Sequence, residues 1–194
     1  MKNICVYASS SEIIDKTYFE QAGVLAELMA KKGWGLIFGA GMLGLMGAMA
    51  DGMIKNGGKI TGVIPELLNV KNVVHENCNE LFVTKTMRER KMLMEEKSDA
   101  FIALPGGFGT LEELLEIITL KQLKYHKKPV VILNINHYYD CLNSLFDHVI
   151  QQKFAKEESS DLYFFAGSPQ EAIDYIEKYT YKETGIKWFS RTEE

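Results

Sequence analysis

Residues 104–113, LPGGFGTLEE, combine residue types and a spacing that suit an anion held beside carboxylates. An apolar run typical of a buried parallel strand precedes them, and an amphipathic helical stretch follows. Glycines at such a turn let backbone N–H groups approach a ligand, and a helix N-terminus favours a phosphate. Glu112 and Glu113 fall on the first helical turn, beside that anion. A plain glycine-rich connection is the alternative, but the clustering of proline, three glycines, threonine and two acids favours a site.

This turn belongs to neither of the two common phosphate-binding motifs. No lysine follows the last glycine, as a Walker loop would require, and the glycine spacing differs from the dinucleotide fingerprint. A second glycine-rich stretch, residues 38–47 (FGAGMLGLMG), also follows a strand. Taken alone, it fits a phosphate or ribose cradle as well as close helix packing. Because both turns follow strands, we expect them to share one crevice.

Two further polar stretches have both a structural and a functional interpretation. The serines at residues 9–11 follow the first strand, and a helix cap is the favoured interpretation over a ligand contact. The charged run at residues 86–97 is typical of a solvated helix face, although Arg90 and Lys91 could instead point into the crevice. His75 and Glu76 lie in an irregular loop, residues 65–79, and a solvated loop is favoured over substrate contact.

The elements that position these residues alternate between strand and helix. Strands are predicted at residues 4–8, 34–38, 59–64, 81–84, 100–104, 130–135 and 162–165. Helices are predicted at residues 18–32, 86–97, 138–152 and 169–178. Two further helices are predicted to begin at the two glycine-rich turns. This alternation predicts an α/β fold, a Rossmann-like doubly wound parallel sheet in a single domain over residues 1–184. Residues 185–194 are predicted to be a tail, in which Trp188 and Phe189 pack on the body or on a neighbouring subunit.

Composition limits the functions that this chain can have. Its 194 residues are 46% hydrophobic and carry a net charge of −4, which suits one globular domain and disfavours a general nucleic-acid binder. No apolar run is long enough for a membrane span, and no signal peptide is recognisable. Three separated cysteines and four scattered histidines predict reduced thiols in a cytoplasmic protein without a bound metal.

Three motifs in order resemble those of one enzyme family. Residues 105–113 fit the pattern PGGxGTxxE, residues 87–91 (MRERK) resemble M-H-x-R-K, and residues 38–47 resemble YGGGxxGLMG. Together they resemble the LOG ("lonely guy") family of cytokinin riboside 5′-monophosphate phosphoribohydrolases, many of which carry an older label, "possible lysine decarboxylase". This chain has Ala40 where that family usually has glycine, and Arg88 where it usually has histidine.

The resemblance implies roles for particular residues. Arg90 and Glu113 match the family's catalytic pair. The positions that it implies for substrate binding are Lys91, Gly106, Gly107, Phe108, Gly109, Thr110, Leu111, Glu112 and Thr119. Our physical assignment places the 5′-phosphate on Gly107, Gly109 and Thr110, and the ribose beside Glu113. Glu112 would be a second ribose contact or a partner of the helix dipole.

The predicted reaction is hydrolysis of the N-glycosidic bond of a purine nucleoside 5′-monophosphate, without a cofactor. The family substrate is an N6-substituted adenosine monophosphate, and the products are the free base and ribose 5-phosphate. One alternative is a nucleotide-binding carrier on the same fold, which would need no acid beside the sugar. The other is a decarboxylase, but that chemistry normally needs pyridoxal phosphate on a lysine that no sequence context identifies. The resemblance also implies a homodimer, for which the helix at residues 86–97 is the candidate interface.

Overall fold

The structure is a computed structural model that describes residues 1–183 and 185. The strands within this part of the chain are β1 (Asn3–Tyr7), β2 (Gly35–Phe38), β3 (Ile60–Pro65), β4 (Glu80–Thr84), β5 (Ala100–Ala103), β6 (Val130–Leu133) and β7 (Phe164–Ala166). The α-helices are α1 (Lys16–Lys31), α2 (Gly44–Lys55), α3 (Met87–Glu96), α4 (Phe108–Gln122), α5 (Asp140–Gln151) and α6 (Pro169–Lys178).

The seven described strands form one parallel sheet in the order β4-β3-β2-β1-β5-β6-β7. The chain builds outward from β1 to β4 and then returns to place β5 on the other side of β1. This reversal between β1 and β5 creates the crevice where open α/β sheets bind ligands. The predicted Rossmann-like, doubly wound α/β fold is confirmed.

Helices cover both faces of the sheet, which explains why the central strands are apolar on both sides. One core lies under α1, α2 and α6, where Leu25, Met49 and Ile173 are fully buried. The other lies under α3 and α4, where Met94 and Leu114 pack against the opposite face. Burial on both faces fixes the carboxyl ends of β1 and β5 and therefore the position of the crevice.

Side-chain caps explain where several helices begin. Asp15 accepts a hydrogen bond from the Thr17 N–H (2.8 Å) at the start of α1. Thr86 accepts from the Glu89 N–H (3.1 Å) at the start of α3, and Glu89 in turn accepts from the Lys85 N–H (2.8 Å). Such reciprocal bonds satisfy N–H groups that a helix start leaves without partners. The rigid start of α3 sets the direction in which Arg90 leaves the helix.

Most predicted elements occur within three residues of their predicted bounds, with instructive differences. The helix predicted from residue 138 begins at Asp140, because Asn136 and His137 adopt left-handed conformations just before it (φ 51° and 59°). The interpretation of residues 9–11 as a cap is wrong, because Asp15 caps α1 instead. The predicted tail, with Trp188 and Phe189, lies outside the described residues apart from Gly185.

Candidate active site

A cavity of about 640 Å³ lies at the carboxyl ends of β1, β2, β3 and β5. Both glycine-rich turns contribute to it, so the predicted shared crevice exists. Six predicted site residues line it, namely Arg90, Gly107, Phe108, Gly109, Thr110 and Glu113. The serines at residues 9–11 also line it, together with apolar side chains from α2, β3 and the loop that follows β3.

Arg90 and Glu113 form an ion pair inside this cavity. Arg90 Nη1 donates to Glu113 Oε1 at 2.7 Å, and only 9% and 11% of the two side chains are exposed. Arg90 Nε donates to the Val63 carbonyl of β3 at 3.1 Å. The guanidinium is therefore held from two sides, and Nη2 and the second N–H of Nη1 remain as donors for a ligand.

Burial gives Glu113 an unusual proton affinity. Removal from water raises the pKa of this carboxyl above its ordinary value, and the charge and hydrogen bond of Arg90 counteract part of that rise. A carboxylate beside a cavity with a pKa shifted towards neutrality is typical of a group that exchanges protons or stabilises developing positive charge.

Gly39 makes room for the Arg90 guanidinium. A Cβ atom at Gly39 would lie 1.9 Å from Arg90 Nη2 and 3.1 Å from its Cζ. The guanidinium cannot easily retreat, because Val63 and Glu113 hold it. The absence of a side chain at residue 39 is therefore a requirement of the ion pair, which the sequence pattern alone did not show.

The turn after β5 exposes the start of α4 to the cavity. Gly107 is the N-cap, and no described side chain caps the helix. A Cβ at Gly107 or Gly109 would meet no described atom within 4 Å, so both positions face open space. By contrast, a Cβ at Gly106 would lie 2.1 Å from Thr110 Oγ1, so that glycine serves internal packing. Unblocked N–H groups at a helix start form an anion-binding arrangement.

The second glycine-rich turn mainly serves packing. The Ser9 carbonyl accepts hydrogen bonds from the N–H groups of Leu45 (2.8 Å) and Met46 (3.4 Å) at the start of α2. A Cβ at Gly44 or Gly47 would collide with backbone atoms of other residues. Because the first N–H groups of α2 already have a partner, this helix start is a poorer phosphate site than that of α4.

Lys91, Leu111, Glu112 and Thr119 lie outside the cavity lining. Lys91 Nζ contacts Glu112 Oε1 and donates to Glu116 Oε2 at 2.9 Å, which ties α3 to α4. Burial disfavours the charged lysine, but the two carboxylates outweigh burial and raise the pKa of Lys91. Thr119 donates to the Leu115 carbonyl at 2.7 Å and lines a separate groove between α4 and α5.

The loop after β3 covers one side of the cavity through Leu68 and Val73. Its backbone pairs with the second glycine-rich turn, where the His75 N–H donates to the Ala40 carbonyl at 2.8 Å. His75 is 6% exposed, and its Nε2 lies 3.1 Å from Asp51 Oδ1. The predicted solvated loop is therefore wrong for His75, which fastens the loop to α2.

The fold and this site define a doubly wound α/β protein with a buried acid–arginine pair beside an open helix start. Comparison with known proteins narrows that class. The family described as "Possible lysine decarboxylase" matches residues 46–176. A cytokinin riboside 5′-monophosphate phosphoribohydrolase of Oryza sativa subsp. japonica, LOG, is 38% identical over 188 residues, which cover 96% of this chain and 78% of that protein. A phosphoribohydrolase with the same activity in its name, from Arabidopsis thaliana, is 36% identical over 192 residues, covering 99% and 84%.

Solved structures show the same fold with a different named role. The molybdenum cofactor binding protein of the phototrophic bacterium Rippkaea orientalis has a TM-score of 0.70 and 25% identity, and the match covers 91% of this chain and 96% of that one. The molybdenum cofactor carrier protein of Chlamydomonas reinhardtii also has a TM-score of 0.70, at 21% identity. On the sequence matches, the chain belongs to the LOG family of cytokinin riboside 5′-monophosphate phosphoribohydrolases.

Proposed function

We propose that this protein hydrolyses the N-glycosidic bond of a purine nucleoside 5′-monophosphate. The substrate is an N6-substituted adenosine monophosphate, and the products are the free base and ribose 5-phosphate. The observation that carries the proposal is the buried Arg90–Glu113 pair in the same cavity as the uncapped start of α4. The names of the relatives agree with this activity.

The 5′-phosphate binds at the start of α4. Gly107, Gly109 and Thr110 offer backbone N–H groups, the helix dipole favours the negative charge, and the Arg90 Nη2 group lies nearby in the same cavity. Phe108, 93% exposed beside the cavity, is placed to cover the base or ribose. Gly106 and Lys91 act indirectly, by packing under Thr110 and by joining α3 to α4.

Glu113 acts on the sugar. As the base departs with the bonding electron pair, positive charge develops on the ribose ring, and the Glu113 carboxylate stabilises that charge. A water molecule adds its hydroxyl to the anomeric carbon, and its proton is transferred to the base nitrogen from which the ribose has separated. Arg90 favours the ionised carboxylate by its charge and orients it through the hydrogen bond from Nη1.

The test is incubation with AMP and with N6-isopentenyl AMP, followed by chromatography for the free base. Glu113→Gln should bind nucleotide and release no base, because the amide has similar shape but no charge. Glu20→Gln, at an exposed residue of α1 outside the cavity lining, is the control and should retain turnover. A fully active Glu113→Gln would remove the carboxylate mechanism.

A nucleotide-binding protein and a decarboxylase are the two competing functions, and a different measurement distinguishes each of them from the hydrolase. The likeness to cofactor carriers favours a binding protein on this fold, and tight AMP binding without any base release would support it. A decarboxylase would require a lysine for pyridoxal phosphate, and no lysine occurs among the described residues that line the cavity. A pyridoxal band in the absorbance spectrum of the purified protein would reverse that conclusion.

We also propose that the protein is a homodimer. Thr119 lies about 15 Å along α4 from Gly109, at a rise of 1.5 Å per residue, so it cannot reach a nucleotide bound in its own cavity. It lines an apolar groove of about 390 Å³ between α4 and α5, where Leu145 and Phe154 are 53% and 85% exposed. A second copy seated there would cover this surface and bring Thr119 towards the cavity of the neighbouring subunit. Leu111 and Glu112, on the same helix, would approach that cavity as well. The alternative interface is α3, where Met92 is 54% exposed.

Within residues 1–183 and 185, no helix has the length and apolar character that a bilayer span requires. We propose a cytoplasmic location, because Cys5, Cys78 and Cys141 are unpaired. Fractionation of cells expressing a tagged chain tests the location.

A further inference from the structure

Two neighbouring tyrosines hold the turn after β5 from behind. Tyr139 Oη donates to the Leu104 carbonyl at 2.7 Å, and Tyr138 Oη donates to the Gly106 carbonyl at the same distance. Their rings lie edge to face, 4.9 Å apart. Both hydroxyls therefore point at the backbone of the turn, and neither side chain is among those that line the cavity.

The carbonyl between these two is held as well, which restrains three successive peptide planes. The Ser9 N–H donates to the Pro105 carbonyl at 3.3 Å. In a trans peptide the carbonyl and the following N–H point in opposite directions. The bond from Tyr138 to the Gly106 carbonyl therefore fixes the Gly107 N–H on the opposite side, away from the tyrosine. Gly107 lines the cavity, and its N–H has no partner among the described residues.

The backbone just before the two tyrosines adopts an unfavourable conformation, which places both rings behind the turn. Asn136 (φ 51°, ψ 34°) and His137 (φ 59°) are consecutive left-handed residues without being glycines. This conformation is unfavourable for a residue that carries a Cβ. Asn134 reinforces the geometry, because its Oδ1 accepts from the Tyr139 N–H at 2.6 Å and its Nδ2 donates to Asp140 Oδ1 at 2.7 Å. Strain that the surroundings maintain is typical of segments with a functional constraint.

We propose that Tyr138 is a positioning residue, which orients the Gly107 N–H for the 5′-phosphate without touching the substrate, while Tyr139 holds the start of the same turn at Leu104. The inference rests on the proposed function, since it assumes that the phosphate binds at this turn. Tyr139 is 2% exposed, and burial raises the pKa of its hydroxyl, so the group remains a protonated donor. Tyr138 is 45% exposed, so its hydroxyl can be removed with little effect on the core.

The test is Tyr138→Phe, which deletes one hydroxyl and keeps the ring. Loss of one restraining hydrogen bond should raise KM for the nucleoside monophosphate, and Ki for ribose 5-phosphate, about three- to tenfold, with kcat nearly unchanged. Binding of the matching nucleoside, which has no phosphate, should stay as in the wild type. Tyr18→Phe is the matched control, because the Tyr18 ring packs edge-on against Tyr138 at 6.1 Å without bonding the turn.

The possible outcomes distinguish failure of this positioning role from failure of the proposed hydrolysis. Unchanged KM and Ki in Tyr138→Phe would overturn the inference, as would equal weakening of nucleoside and nucleotide, which indicates a general structural effect. Tyr139→Phe should mainly lower the free energy of unfolding, because its buried hydroxyl holds the peptide that ends at Pro105, which has no N–H to offer a phosphate. If the wild-type protein released no base, the proposed function would fail, and titration with ribose 5-phosphate would still test the role of Tyr138.

Discussion

Arg90 and Glu113 stabilise each other, so the chemistry of one depends on the presence of the other. They are 23 residues apart in the chain and meet across the cavity at 2.7 Å. A buried carboxylate without a partner would take up a proton, and a buried guanidinium without one would be strongly destabilising. The pair is therefore a condition for an ionised acid in this cavity.

The pH dependence of turnover should report this coupling. Because burial raises the pKa of Glu113 and the carboxylate is the active form, kcat/KM should fall as the pH drops through that raised pKa. Arg90→Gln removes the charge that counteracts the rise, so the fall should begin at a higher pH, with kcat reduced at least about tenfold. Profiles of kcat/KM against pH measure both effects. The midpoint in Glu20→Gln should not move, and an unmoved midpoint in Arg90→Gln would contradict the assignment.

Gly39→Ala should disturb the same pair from the other side. A Cβ 1.9 Å from Arg90 Nη2 forces the guanidinium to shift, which should lower the free energy of unfolding by about 1–3 kcal/mol and reduce turnover. In an Arg90→Lys background the group that collides is absent, so the same substitution should have a much smaller effect. Urea unfolding of the two single variants and the double variant gives the coupling energy, and simple additivity would argue against this contact.

The packing of α1 against α2 shows how the same substitution can have opposite effects. A Cβ at Gly23 in α1 would meet no described atom within 4 Å, whereas a Cβ at Gly52 in α2 would lie 2.7 Å from the Ala26 Cβ. Gly23→Ala should therefore stabilise the protein by about 0.5–1 kcal/mol through helix propensity. Gly52→Ala should destabilise it by about 1–3 kcal/mol through overpacking. Thermal unfolding of both variants tests this, and two shifts of the same sign would count against the interface as described.

The connection between α4 and β6 makes the fold sensitive to acid through His126. Its Nδ1 accepts from the Lys128 N–H at 3.2 Å, and its Nε2 lies 2.9 Å from the Ile117 carbonyl, which fits a neutral ring. Burial lowers the pKa of His126 from 6.5 to about 4. The unfolded chain therefore binds this proton first, and stability is lost as the pH falls from 6.5 towards 4.

This acid sensitivity is measurable as a change in unfolding free energy. We expect a loss on the order of 2 kcal/mol over that range, allowing for partial solvent screening of the full shift. His126→Phe should be less stable at pH 7 but should depend less on pH between 6.5 and about 4. A wild-type slope that His126→Phe retains would assign the proton to another group.

The assembled molecule leaves apolar surface on two different sides, and charge substitutions distinguish them. Leu145→Glu in the groove between α4 and α5 should dissociate the proposed dimer, because a charge would be buried without a partner. Met92→Glu on α3 is the matched change at similar exposure and should leave the dimer intact. Sedimentation at several concentrations measures both. Dissociation by Met92→Glu alone would move the interface to α3, and a wild-type monomer would remove the dimer altogether.

Much of this protein could be predicted from local sequence patterns. Apolar runs, and the glycine, proline and polar residues that separate them, predicted where the strands and helices lie. Hydrophobic periodicity and turn preferences depend on only a few neighbouring residues. The turn at residues 104–113 was recognisable in the same way, as proline, glycines and acids at one strand-to-helix junction. The order of the motifs also indicated the family to which the chain belongs.

Only the tertiary structure decided which side chains meet in the cavity. Lys91 follows Arg90 in the chain, yet one residue turns a helix by about 100°, so Arg90 enters the cavity and Lys91 binds acids of α4. The anchoring of the turn by Tyr138 and Tyr139 was hidden for another reason. A hydrogen bond to a backbone carbonyl places no demand on the residue type that carries it, so no pattern in the sequence records which distant hydroxyl will reach it.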